Sequence, residues 1–179
     1  MSKRLPSPEE AVKILKETGC SPQVIRHCKA VAELAVRIAE TCTENGNNVN
    51  VELVHIGALL HDIGRSKTHS IHHVVIGAEI ARSLEMPNSV ISMVERHVGG
   101  GLTADEALEL GWSNKSYMPD TLEEKIVTYS DKLIDNAKIV PIQESIERLK
   151  KRLGSDHPAV KRVADLHREI SGFCQALCP

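Results

Sequence analysis

Apolar residues recur at helical spacing along most of the chain. From Val24 the positions Val24, Cys28, Val31, Ala35, Ile38 and Cys42 fall alternately four and three apart, which is one face of an amphipathic helix. Helix punctuation frames this pattern. Ser7-Pro8-Glu9-Glu10 reads as a capping box with proline in the first turn, and Gly19 as the stop. Ser21-Pro22 starts a second helix that runs to Asn45-Gly46-Asn47-Asn48. Asn50 to Asp62 is a third, strongly apolar segment stopped by Gly64. Ser70 caps a fourth, which runs to about Glu85 ahead of Pro87, and residues 88–97 form a short fifth. Thr103 to Glu106 and Thr121 to Glu124 are two further capping boxes. The segment after Thr121 breaks before Pro141, and one or two more helices follow with Gly154 and Pro158 between them.

No segment alternates with period two between turns. Val51 to Ile56 and Val127 to Tyr129 have some β character, but helical context outweighs it. The expectation is an all-α, single-domain bundle of seven to nine helices. Residues 20–140 form its core, and residues 141–179 form C-terminal helices that pack on that core. Loops near 45–49, 64–69, 98–102 and 111–120 bracket the histidines.

Composition narrows the options. The 179 residues suit one core, and 41% are hydrophobic. Only 2% are aromatic, so Ala, Val, Ile and Leu must fill the interior, and few rings remain for stacking on bases. The net charge of -2 gives no basic field to attract DNA or RNA. No apolar run reaches the roughly 20 residues of a membrane span, and the N-terminus has no signal-peptide core. The cysteines at 20, 28, 42, 174 and 178 are odd in number and contain no CxxC. They read as free, partly buried thiols in a reducing compartment. A cytoplasmic protein without nucleic-acid or membrane partners follows; a homodimer stays open.

The candidate chemistry lies in polar residues with apolar surroundings. His61 and Asp62 are neighbours, which on a regular helix point about 100° apart; at a helix end that constraint relaxes. Either they form a polar helix end or they share a ligand. His27 lies on an apolar face, as a buried neutral imidazole or a metal ligand. His69, His72 and His73 follow the loop, and His97 ends a helix before three glycines. Those glycines could present backbone N–H groups to an anion. Asp131 stands mid-helix among Ile126, Val127, Leu133 and Ile134, where a carboxylate needs a cation, either Lys132 or a metal. His55, His157 and His167 are read as structural or surface residues, as are Trp112 and Tyr117.

The ordered set His27, His61-Asp62 and Asp131 resembles the HD superfamily of metal-dependent phosphohydrolases, and His61-Asp62-Ile63-Gly64 is a spelling common in it. Residues 73–81 and 96–101 are similar to the segments that supply further histidines in members with two metals. The GYP signature of cyclic-di-nucleotide phosphodiesterases and the long insertions of deoxynucleotide triphosphohydrolases are absent. The resemblance implies that His27, His61, Asp62 and Asp131 hold one divalent ion. Asp62 would bridge to a second, held by His73 and His97. Two carboxylates and four imidazoles suit Fe, Mn, Co, Ni or Zn better than Mg. Asp62 would also be catalytic, and Arg65, Lys67 and Lys132 would bind phosphate oxygens. The implied activity is hydrolysis of a phosphoester or phosphoanhydride bond, by activated water, in a nucleotide or another small phosphorylated compound. Related alternatives are a di-iron oxygenase or a non-catalytic nucleotide- or metal-binding domain.

Overall fold

Caps set the helix starts. The Ser7 hydroxyl accepts from the Glu10 N–H at 3.2 Å, and the Glu10 carboxylate accepts from the Ser7 N–H at 2.6 Å. Ser21, Asn50, Thr103 and Thr121 likewise accept from backbone N–H groups three residues on. In the computed structural model, which describes residues 4–174, nine α-helices follow. They are α1 (Pro8–Glu17), α2 (Pro22–Glu44), α3 (Val51–Leu60), α4 (His73–Ser83), α5 (Asn88–Arg96), α6 (Ala104–Glu109), α7 (Leu122–Lys132), α8 (Ile142–Leu153) and α9 (Pro158–Phe173). The fold is all-α, as the sequence indicates.

The face of α2 picked out by its spacing is buried throughout. It lies along α3 and α7, which meet α5 on the far side. Helix α3 is strongly apolar because most of it, from Val54 to Leu60 apart from His55, is buried. At Gly57 the α5 residue Met93 lies where a Cβ would be, so the two helices approach closely. A smaller apolar cluster of Val74, Leu102, Ala107, Trp112 and Tyr117 anchors the segment after the glycines. Trp112 and Tyr117 are buried in it and present no stacking surface, and the Trp112 indole N–H donates to His72 Nδ1 at 2.8 Å.

Several expectations are corrected. Helix α4 starts at His73, one residue beyond His72; the Ser70 hydroxyl accepts from the His72 N–H at 3.3 Å, outside the helix, and its carbonyl is taken by the His73 N–H and ring. Helix α7 ends at Lys132. A two-stranded hairpin follows, β1 (Ile134–Asp135) and β2 (Lys138–Ile139), turned at Asn136 and Ala137, whose φ values are 47° and 60°. Asp131 therefore sits in the last turn of α7, not mid-helix. Thr121 caps α7, but Glu124 does not close the box: its carboxylate turns to Arg96 at 3.0 Å and the Asp120 N–H at 2.7 Å. Gly64 does not stop α3, which ends at Leu60; it lies in a 3-10 turn, Ile63–Ser66, packed on α4. Among the glycines, the Gly101 N–H donates to the Val98 carbonyl at 2.8 Å, and Gly100 receives the α9 backbone and side chains at Arg162 and Val163. Cys42 and Cys174 form a disulfide joining the end of α2 to the end of α9, correcting the free-thiol expectation for that pair. Cys20 and Cys28 are free and buried, and Cys178 lies outside the described residues. No described helix is long and apolar enough to cross a membrane.

A Cβ at Gly64 would overlap the His73 carbonyl and the Gly77 nitrogen, both backbone atoms that cannot swing away. Gly64→Ala should lower stability by about 3 kcal/mol. Gly172→Ala, on an open helical surface with nothing within 4 Å, should raise it by about 0.5–1 kcal/mol. Urea unfolding of the two variants checks the contrast. Equal effects would show that Gly64 is not a packing contact.

Candidate metal centre

Five helices deliver six polar side chains to one place. His27 comes from the first turns of α2. His61 is the C-cap of α3, and Asp62 follows it at the start of the 3-10 turn. His73 is the first residue of α4, His97 the C-cap of α5, and Asp131 lies in the last turn of α7. Three helix C-termini thus converge, and their partial negative charge favours a cation. Leaving the regular helix after Leu60 is what lets adjacent His61 and Asp62 face one target.

Backbone carbonyls fix the histidine rings. Nδ1 of His61 lies 2.7 Å from the Ala58 carbonyl, Nδ1 of His73 lies 2.7 Å from that of Ser70, and Nδ1 of His97 lies 2.9 Å from that of Val94. A carbonyl only accepts, so each Nδ1 carries the hydrogen and each Nε2 turns a lone pair inward.

The Asp62 carboxylate divides the site. Its Oδ1 stands 3.1 Å from His73 Nε2 and 3.4 Å from His97 Nε2. Its Oδ2 stands 3.7 Å from His61 Nε2 and 3.9 Å from His27 Nε2. Asp131 Oδ1 closes the second group, 3.0 Å from His27 Nε2 and 3.5 Å from His61 Nε2. His61 Nε2 and Asp62 Oδ1 are fully buried with no hydrogen-bond partner. Such atoms are costly unless a cation joins them. Two triads, His27-His61-Asp131 and His61-Asp62-His97, each bring their ligand atoms within 4.8 Å of one another. The donor set fits a divalent ion.

Electrostatics point the same way. Burial pushes the Asp62 carboxyl up, but the His61, His73 and His97 rings around it outweigh that and hold its pKa well below the usual range. Asp131 is also buried, yet Lys132 at 2.5 Å, with His27 and His61, holds it well below as well. Burial disfavours charge on His61, but Asp62 and Asp131 raise its pKa. Burial prevails at His97, whose pKa falls to about 4.

All six ligand candidates named from the sequence meet here. Arg65 Nε donates to Asp62 Oδ2 at 2.6 Å, and its NH1 donates to the His69 carbonyl at 3.3 Å. Lys132 pairs with Asp131 and lines neither cavity at the site. His72 holds Trp112, and His69 lines cavities beside the centre. Of the other histidines, His157 Nδ1 accepts from the Ala159 N–H at 3.2 Å, and His167 Nδ1 meets the Tyr129 hydroxyl at 2.7 Å. His55 lines a separate groove between α1, α2 and α3. Sequence reasoning missed Gln23, Arg26 and Asn136, which line the mouth, a cavity of about 560 Å³ reaching His27, Asp62 and Asp131. Gln23, Arg26 and His27 share one α2 face at helical spacing, a signal that could have found the first two; Asn136 has none.

The chain belongs to the HD domain family, which matches residues 24–135, a span holding all six convergent side chains. HD domains bind divalent metals, and the family supports a hydrolase at the superfamily level. It is similar to an uncharacterized protein of Methanocaldococcus jannaschii, at 49% identity over 92% of this chain and 97% of that protein. It is 36% identical, over 96% of its length, to a tRNA (cytidine(56)-2'-O)-methyltransferase of Picrophilus torridus, but spans only 48% of that protein. The Listeria monocytogenes phosphodiesterase PgpH HD domain, solved in complex with cyclic-di-AMP, shares the fold with a TM-score of 0.53. That match is 20% identical and covers 94% of this chain and 99% of that one.

His97 titrates near 6.5 when unfolded and near 4 when folded, so between these values only the unfolded chain gains the proton. Acidification through that window should therefore remove stability, in total about 3 kcal/mol. The raised pKa of His61 acts above the window, where falling pH adds stability. Urea midpoints in chelator from pH 7 to 4 should show the loss, and His97→Gln should flatten it. An unchanged slope in that variant would assign the loss elsewhere.

Proposed function

We propose that this protein is a metal-dependent phosphohydrolase acting on a phosphoester or phosphoanhydride bond in a nucleotide or similarly small phosphorylated compound. The observation carrying this reading is the Asp62 carboxylate set between two groups of inward-turned imidazoles, with His61 Nε2 and Asp62 Oδ1 buried and unpartnered. One divalent ion would be held by His27, His61, Asp62 and Asp131, and a second by Asp62, His73 and His97. Such ions, Fe, Mn, Co, Ni or Zn before Mg, supply Lewis acidity toward water and phosphate oxygens.

The chain's own residues do the rest. The carbonyls of Ala58, Ser70 and Val94 hold three rings in one tautomer, so little reorganisation accompanies binding. Lys132 keeps Asp131 ionised. Arg65 lines the cavities on both sides of the centre, where its guanidinium can turn from Asp62 to a phosphate oxygen. The PgpH HD domain binds a cyclic dinucleotide, which supports a nucleotide as the substrate class.

Purified protein loaded with manganese or cobalt should release phosphate or an alcohol from members of a phosphoester and nucleotide panel. Chelation and Asp62→Ala should abolish turnover, and elemental analysis should find Asp62→Ala without bound metal. Arg65→Ala should lower kcat/KM by roughly ten- to a hundredfold, as for loss of a charge-assisted hydrogen bond. Full activity after complete metal removal would sink the proposal. Oxygen uptake by the reduced iron form, without any phosphoester turnover, would replace it with an oxygenase.

A further inference from the structure

The centre has two entrances. One is the polar mouth at His27 and Asp131. The other is a cavity of about 500 Å³ that reaches His73, with Arg65 and His69 in the wall common to both. The second cavity has a different character. Val98, Leu102 and Leu110 line it together with Ile71 and Leu153. Ile71 and Leu153 are 37% and 39% exposed, two of few large apolar side chains left to solvent among the described residues. Single exposed apolar residues need no explanation, but two lining one cavity beside a reactive centre do.

The far wall is built from outside the family match. Arg152, Leu153, His157 and Ala159 belong to the α8–α9 turn, beyond residue 135. That turn is held in place. Arg162 pairs with Glu106 at 2.9 Å, and the bare backbone of Gly100 admits α9 against the turn that follows His97. Glu109 and Arg152 stand on the rim, an acceptor and a donor at the edge of an apolar slot. A flat group with apolar faces and a polar edge suits such a slot, and a nucleobase is of that kind.

We propose that the α8–α9 turn is a specificity element, walling a compartment for the planar base of a nucleoside phosphate whose phosphate group lies at the His/Asp centre. The proposal rests on the phosphohydrolase reading for the phosphate, but the compartment can be tested without it. Adenosine and uridine are titrated into the metal-free full chain by NMR, against ribose as the blank. At least one nucleoside should bind, and Leu153→Asp, an exposed and structurally mild change, should weaken it about tenfold or more through lost apolar contact. Leu84→Asp, at the exposed end of α4, should leave it unchanged. With manganese, adenosine 5′-monophosphate should have a KM at least about tenfold below that of ribose 5-phosphate. Leu153→Asp should raise that KM and spare kcat, without changing ribose 5-phosphate kinetics. The proposal is overturned if neither nucleoside binds, or if Leu153→Asp leaves nucleoside binding unaltered. Turnover of no member of the phosphoester and nucleotide panel would remove the phosphohydrolase reading instead, and the nucleoside titration would still decide the compartment.

Discussion

One carboxylate organises this protein. Asp62 is buried, ionised and flanked by imidazoles on both oxygens, and no low-dielectric interior accepts that charge without compensation. The compensation comes from helices far apart in the chain, so the demand of one side chain ties α2, α3, α4, α5 and α7 to a single point. Arg65 supplies a further cation at the rim. The apolar core around α2 and α3 provides the stability, while Asp62 makes the arrangement of helix ends matter to within ångströms.

Close backbone approach makes that arrangement attainable. Gly57 admits Met93, and Gly64 and Gly77 let the 3-10 turn lie directly on α4. Without these contacts His73 and His97 would stand a side-chain radius further from Asp62. The histidine rings need no dedicated partners, because each uses a carbonyl three residues earlier in its own chain segment. Orientation is therefore local, while convergence is global.

That distinction explains what was legible in the sequence. Helix number, most helix starts and the buried face of α2 follow from period and caps, which are local. His27 and Asp131 stand out as polar residues in apolar segments, while the full set of six, with His73 chosen over His69 and His72, comes from the resemblance to the HD superfamily. The misplaced details are those where tertiary contacts prevail. Ser70 gives its carbonyl to a histidine ring, Glu124 turns to Arg96, and the turn at Asn136 and Ala137 ends α7 early. Lys132, one of the two cations named for Asp131, does lie on it. The pairing of Cys42 with Cys174, 132 residues apart, has no local signature at all. Nor does Asn136, which matters only because the cavity opens between α2 and the hairpin.

The spread of the six side chains from residue 27 to residue 131 has a bearing on biogenesis. During synthesis, a chain that has reached α5 carries His27, His61, Asp62, His73 and His97 but lacks Asp131, so one half of the centre remains incomplete until α7 emerges and docks. An ion held by both groups would therefore mark a closed bundle. By mass action, an ion that binds only the closed form also favours it over the open chain. The supply of such ions would in this way set how long a finished molecule lasts, apart from any role in chemistry.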